Sequence, residues 1–228
     1  MKKHQYKQLE DYMLSCMLDS AHDKDHIYRV LYAALEIAQY ERDVDRDVLV
    51  AACLLHDIGR QQQYANPAVC HALAGAQMAY DFLIGHGWGG GFAMNVRQCI
   101  ETHRFRADRP PQTMEAKILF DADKIDATGT LGVARTIFYK GQMSQPLYCV
   151  LPDGTISDGE NDGVSSFFHE YRFKLEKLYD RFYTKRAAEI AAARRHSAAE
   201  FYKSMLREVE SSYSVGTELL DAVFDKEA

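Results

Sequence analysis

The apolar residues of this chain recur at helical spacing nearly everywhere, and that property confines it to an all-α fold. Ile27, Val30, Leu31, Ala34, Ile37 and Ala38 make one stripe at i, i+3, i+4 spacing. Val48 to Leu55 is almost wholly apolar and follows Asp45 and Asp47, which suit a helix start. Asn66-Pro67 is expected to open a helix through Leu73, Ala76, Tyr80 and Leu83, which the run Gly85 to Gly91 then ends. Phe92 to His103 reads as another helix, and Thr113 as the cap of the next, with Ala116, Leu119 and Phe120 inside. Only Leu147 to Val150 reads as a short strand.

Residues 141–163 are rich in Gly, Pro, Asp, Asn and Ser and read as a long loop or lid. Val164 to Phe182 and Ala187 to Val209, the latter after Thr184, form an expected C-terminal helical pair. With 228 residues, 47% of them apolar, the chain can bury one sizeable core. The expected plan is one domain over 1–228: a core in 1–140, the loop in 141–163, the pair in 164–210, and a loosely held tail in 211–228.

Lys plus Arg is 27 against 33 for Asp plus Glu, a net charge of −6, which argues against general nucleic-acid binding. The five cysteines are odd in number and form no C-x-x-C pair, as expected of reduced thiols in the cytoplasm. No apolar run follows Met1-Lys2-Lys3, and none approaches ~18 residues, so neither a signal peptide nor a membrane span is expected. The sequence leaves the oligomeric state open.

Two core segments end in ionisable clusters. His56-Asp57 directly continues Val48–Leu55, and Asp121-Ala122-Asp123-Lys124-Ile125-Asp126 continues Ile118-Leu119-Phe120. Ionisable groups there are costly unless paired or metal-bound. Buried ion pairs would also explain either cluster, but two such endings point to one shared site. His26 opens the first amphipathic stripe. His26, His56, Asp57 and Asp123 would supply mixed N/O ligands, suited to Mn, Fe, Co, Ni or Zn. Asp121 is the fallback for Asp123, since i and i+2 on a helix face different ways.

His26, His56-Asp57 and Asp123 resemble, in order and context, the H…HD…D signature of the HD-superfamily metal-dependent phosphohydrolases. The run Asp121 to Arg135 and the opening His22-Asp23-x-x-His26 are similar to a small bacterial branch of nucleotide phosphohydrolases or pyrophosphohydrolases, and the likeness covers most of residues 20–210. The resemblance implies an HD-domain helical bundle with a C-terminal helical pair. It also implies hydrolysis of a phosphorylated small molecule, a nucleotide, by a metal-activated water. His22-Asp23 is a second dyad, which precedes a helix instead of ending a core segment. Asp23 therefore reads as a cap for the helix carrying His26.

His71 and His103 look like the extra histidines of binuclear HD proteins, in which the dyad aspartate bridges two ions. The other reading is one ion, with these histidines lining the pocket as general acid or phosphate contact. Arg29, one turn after His26, and Lys124 are candidates to contact phosphate, with Arg60, Arg104 and Arg106 nearby; salt bridges to neighbouring carboxylates are the bland alternative. His4, His86, His169 and His196 read as structural or surface residues. Two rival functions are an HD-type di-iron oxygenase, whose ligand set includes two extra histidines, and a non-catalytic nucleotide-binding module.

Overall fold

The computed structural model describes residues 1–17, 24–104 and 109–225. His22-Asp23, with its expected cap, and Arg106 lie outside these residues. The chain forms two compact units, Met1–Asp126 with Phe182–Glu189, and Ala127–Arg181 with Ile190–Ala228. Among the described residues the fold is all-α: ten α-helices, one 3₁₀ helix, and a single isolated bridge, Val150 to Ile156, at the end of the expected strand.

The first unit contains α1 (Lys3–Cys16), α2 (Lys24–Ile37), α3 (Arg46–Leu55), α4 (Arg60–Ala65), α5 (His71–Gly85), α6 (Gly90–Thr102) and α7 (Met114–Ile125). Helix α3 lies at its centre, packed by α1, α2, α5, α6 and α7. Asp45 caps it, its carboxylate accepting from the N–H groups of Asp47 and Val48. A helix apolar all round can only be central: Leu49, Leu54 and Leu55 are fully buried, each worth about 2–3 kcal/mol. Thr113 caps α7 as expected, accepting from Ala116 N–H.

Helix α5 begins at His71, not at Asn66-Pro67. Asn66 instead makes a turn, its side chain accepting from Ala68 N–H. Gly59, in the turn after α3, explains how α5 is held. A Cβ there would sit 2.3 Å from the His71 carbonyl oxygen and 2.5 Å from Gly75 N. Two backbones meet at that point, and the contact presses the start of α5 onto the end of α3.

The second unit contains α8 (Gly129–Gln142), α9 (Phe167–Phe173), a 3₁₀ helix (Leu175–Asp180) and most of α10 (Lys185–Phe224). Its core is Val133, Phe167, Phe168, Tyr171, Leu175, Leu178, Ala198 and Tyr202. The expected helix over 164–182 is broken: Lys174, at φ −127°, ψ −62°, ends α9, and Leu175–Asp180 tightens into 3₁₀ turns. The loop ahead of α9 is fastened to this core. Tyr202 donates to the Asp158 carbonyl at 2.5 Å. Gly159, at φ +99°, lies where a Cβ would strike the Phe168 backbone at 2.4 Å. Helix α10 runs through Phe224, well into the expected tail. No helix of the described residues is long and apolar enough to cross a membrane.

Candidate metal centre

Helix ends in the first unit set out the site. His56 is the C-cap of α3 and His103 the C-cap of α6. Each turns its Nδ1–H back onto a carbonyl of its own last turn: His56 to Cys53 O at 2.8 Å, His103 to Ile100 O at 2.7 Å. Those carbonyls are among the four that a helix end leaves unpaired. His26 on α2 and His71 at the start of α5 do the same with side chains, His26 to Asp126 Oδ2 at 2.8 Å and His71 to Gln63 Oε1 at 2.5 Å. Carbonyl, amide and carboxylate oxygens only accept, so in every ring the Nδ1 bears a proton and Nε2 is the atom turned to the site.

The four Nε2 atoms face Asp57. Its Oδ2 lies 3.7 Å from both His26 Nε2 and His56 Nε2. Its Oδ1 lies 3.4 Å from His71 Nε2 and 3.6 Å from His103 Nε2. Asp123 Oδ1 is 3.5 Å from His26 Nε2. The ligand atoms form two sets, each within 4.8 Å: His26, His56 and Asp123, and Asp57, His71 and His103. The sequence-based quartet is therefore drawn together, but Asp57 leans toward the two extra histidines.

These residues suit a divalent cation. His26, His56, Asp57, His71 and His103 are at most 2% exposed. Both Asp57 oxygens and Nε2 of His71 and His103 are buried without a hydrogen-bond partner, an expensive arrangement without a cation. His26 and His56 aim their Nε2 atoms at each other across 3.4 Å. Atoms bound to one ion at about 2.0–2.2 Å lie roughly 3.0–3.5 Å apart, close to the spacings seen.

Charge is arranged accordingly. Burial pushes the His56 imidazole down to about 4 and that of His71 down to about 2, so both rings are neutral ligands near pH 7. Burial would raise the Asp57 carboxyl, but Arg60 and then His56 outweigh it and hold the group well below the usual carboxylate range. Arg60 Nε is 3.0 Å from Asp57 Oδ1, without hydrogen-bond alignment. Asp123 is held down in the same way, burial being outweighed first by Lys124, whose Nζ is 2.9 Å from Asp123 Oδ2.

The three carboxylates ending α7 divide the work. Asp123 faces the histidines. Asp121 faces elsewhere: it accepts from the N–H of Tyr183 (2.9 Å) and from the N–H and hydroxyl of Thr184 (both 2.7 Å), the residues that lead into α10. Asp126 receives His26 and is gripped by Arg29, Nε to Oδ1 at 2.7 Å. Arg29 thus lies on the His26 face, engaged with a carboxylate. Sequence reasoning missed Asp126 and Gln63 as supports of His26 and His71. Nothing local marks either one. Arg104 donates from Nη1 to Cys70 Sγ at 3.6 Å.

The helix ends thus bring histidines and aspartates into a buried cluster able to hold a metal ion, and residues 24–128 match the HD domain. The chain carries an HD domain over those residues, the domain of the HD-superfamily hydrolases it is similar to. It is 28% identical over 211 residues to YpgQ of Bacillus subtilis, covering 90% of this chain and 94% of the relative. The crystal structure of YpgQ in complex with ADP is similar at a TM-score of 0.70 and 25% identity, over 90% of this chain and 98% of that one. A predicted HD superfamily hydrolase from an uncultured Thermotogales bacterium is 27% identical at a TM-score of 0.60, over 89% and 91% of the two chains. A Lactobacillus plantarum protein shares the fold at a TM-score of 0.73 and 22% identity, over 92% and 99%.

Proposed function

We propose that this protein hydrolyses a phosphoester or phosphoanhydride of a nucleotide, with divalent transition-metal ions held by His26, His56 and Asp123 and by His71 and His103, Asp57 being shared. The observation that carries the reading is Asp57, buried with one oxygen toward each histidine pair. A bound ion of the Mn, Fe, Co, Ni or Zn series would supply Lewis acidity to a phosphoryl oxygen and lower the pKa of a water molecule. The chain does the rest. Arg60 keeps Asp57 ionised, and the Arg29–Asp126 pair orients His26. Lys124, beside Asp123 and 17% exposed, would neutralise charge growing on phosphoryl oxygens. The neutral His71 ring suits a ligand better than a proton donor. The ADP complex of YpgQ supports a nucleotide as substrate.

The test is anaerobic incubation of the Mn-loaded protein with a panel of nucleotides. Release of phosphate or pyrophosphate is expected, and His56→Ala or Asp57→Ala should abolish it. Oxygen uptake by the iron-loaded protein, with no phosphate release under any metal, would overturn the reading in favour of the oxygenase.

A further inference from the structure

From Glu210 to Asp225 every residue is exposed, in a stretch that is helical through Phe224. Tyr213, Leu219, Leu220, Val223 and Phe224 are between 37% and 64% exposed, with the Tyr213 ring also meeting that of Tyr148 edge-on at 6.1 Å. A bare helical stretch of this length is marginal in water, and a run of large exposed apolar side chains calls for cover. Leu206, Val209, Tyr213, Gly216, Leu220 and Val223 alternate at spacings of three and four, the seam of a coiled coil. The seam starts at Leu206, which is partly covered by the second unit's core, and runs on into the exposed stretch.

We infer that residues 206–223 pair with the same segment of a second copy as an antiparallel two-stranded coiled coil. Side-chain size sets the direction. Antiparallel pairing of seam positions puts Leu206 opposite Val223, Val209 opposite Leu220, and Tyr213 opposite Gly216. Every layer then couples residues of compatible volume. A parallel pair in register would crowd two Tyr213 rings into one layer and leave a hollow at the two Gly216 positions. The flanks agree, since Glu210 would face Thr217 and Ser212 would face Leu219, with no like charges opposed. Antiparallel helix dipoles also attract. An anionic membrane fits worse: Glu208, Glu210, Glu218, Asp221 and Asp225 outnumber Lys203 and Arg207 along the segment. At about 27 Å the seam is short, so the dimer should dissociate on dilution.

Sedimentation velocity over a wide concentration range tests this. A monomer at low concentration and a dimer at high concentration are expected. Leu220→Glu, at a site 53% exposed in the single chain, should raise the dissociation constant at least ~10-fold, with helix signal and melting temperature equal to those of the native protein at concentrations where both are monomeric. Oxidising a mixture of the L206C and V223C proteins should link one variant to the other, as peptide mapping would show. A monomer at every concentration, or a dimer indifferent to L220E, overturns the inference. A main product linking L206C to itself overturns the antiparallel direction.

Discussion

Lys124 has its ammonium 2.9 Å from Asp123 and 3.4 Å from the His103 carbonyl, a different pairing from the Asp121 or Asp126 salt bridge that the sequence also allows. Lys124→Ala should keep metal and fold but lower kcat/KM by about 10- to 150-fold, the worth of a charge-assisted contact of ~1.5–3 kcal/mol. Steady-state kinetics and metal content on the same sample check this; unchanged kinetics would reduce Lys124 to an anchor of Asp123. Asp126→Asn removes the charge behind His26 and keeps the shape. Metal affinity should fall about 10- to 100-fold in a chelator competition, while His26 itself is untouched. The ligand types were legible in the sequence because ionisable residues ended apolar helices. The division of labour among Asp121, Asp123 and Asp126 was not, because it is decided by Thr184 and Arg29, partners remote in the chain.

Helix ends carry the next scale. Asp121→Ala would orphan the buried N–H groups ahead of α10 and should cost about 2–3 kcal/mol in thermal denaturation, with metal per folded molecule unchanged. Helix α1 is tied down by Glu10, which accepts from Tyr28 on α2 at 2.7 Å. The Tyr28 hydroxyl and then Lys7 hold the Glu10 carboxyl below its usual value. The unfolded chain therefore takes up this proton first as pH falls. The tie is at full strength above the unfolded value near 4.3 and is lost as pH drops through the lower folded value. Trp88, the only tryptophan, donates to Gln8 on α1 at 3.4 Å, so its fluorescence should report acid release of α1, and Glu10→Gln should flatten that transition. Helical spacing and caps such as Asp45 and Thr113 gave away most elements. The start of α5 did not show, because the Gly59 contact with α5 that fixes it is tertiary.

For the whole molecule, metal and fold should be linked, because ions would bind the assembled helix ends and not the dispersed ligands. At free metal of ~100 times its dissociation constant, the folded state gains about 2.7 kcal/mol. Stripping the ions with a chelator should thus lower the melting temperature by about 5–11 °C, and Asp57→Ala should remove most of that difference. The all-α architecture was legible from periodicity alone. The length of α10 was not, since beyond Val209 its residues are exposed, and the contact of the Tyr213 ring with Tyr148 is one that local periodicity does not show.

Each histidine set has one ring steadied by main chain, His56 or His103, and one steadied by a side chain, His26 or His71. The side-chain props differ: Asp126 is a carboxylate and Gln63 a neutral amide. A carboxylate behind an imidazole makes it the more basic donor. The two halves should therefore fill in order, the His26 half first and the His71 half only as metal becomes plentiful. A metal titration followed by calorimetry should resolve two unequal steps, and Gln63→Glu should bring them closer together; equal steps in the native protein would refute the ordering. Occupancy would then track metal supply, leaving the protein half-charged when ions are scarce.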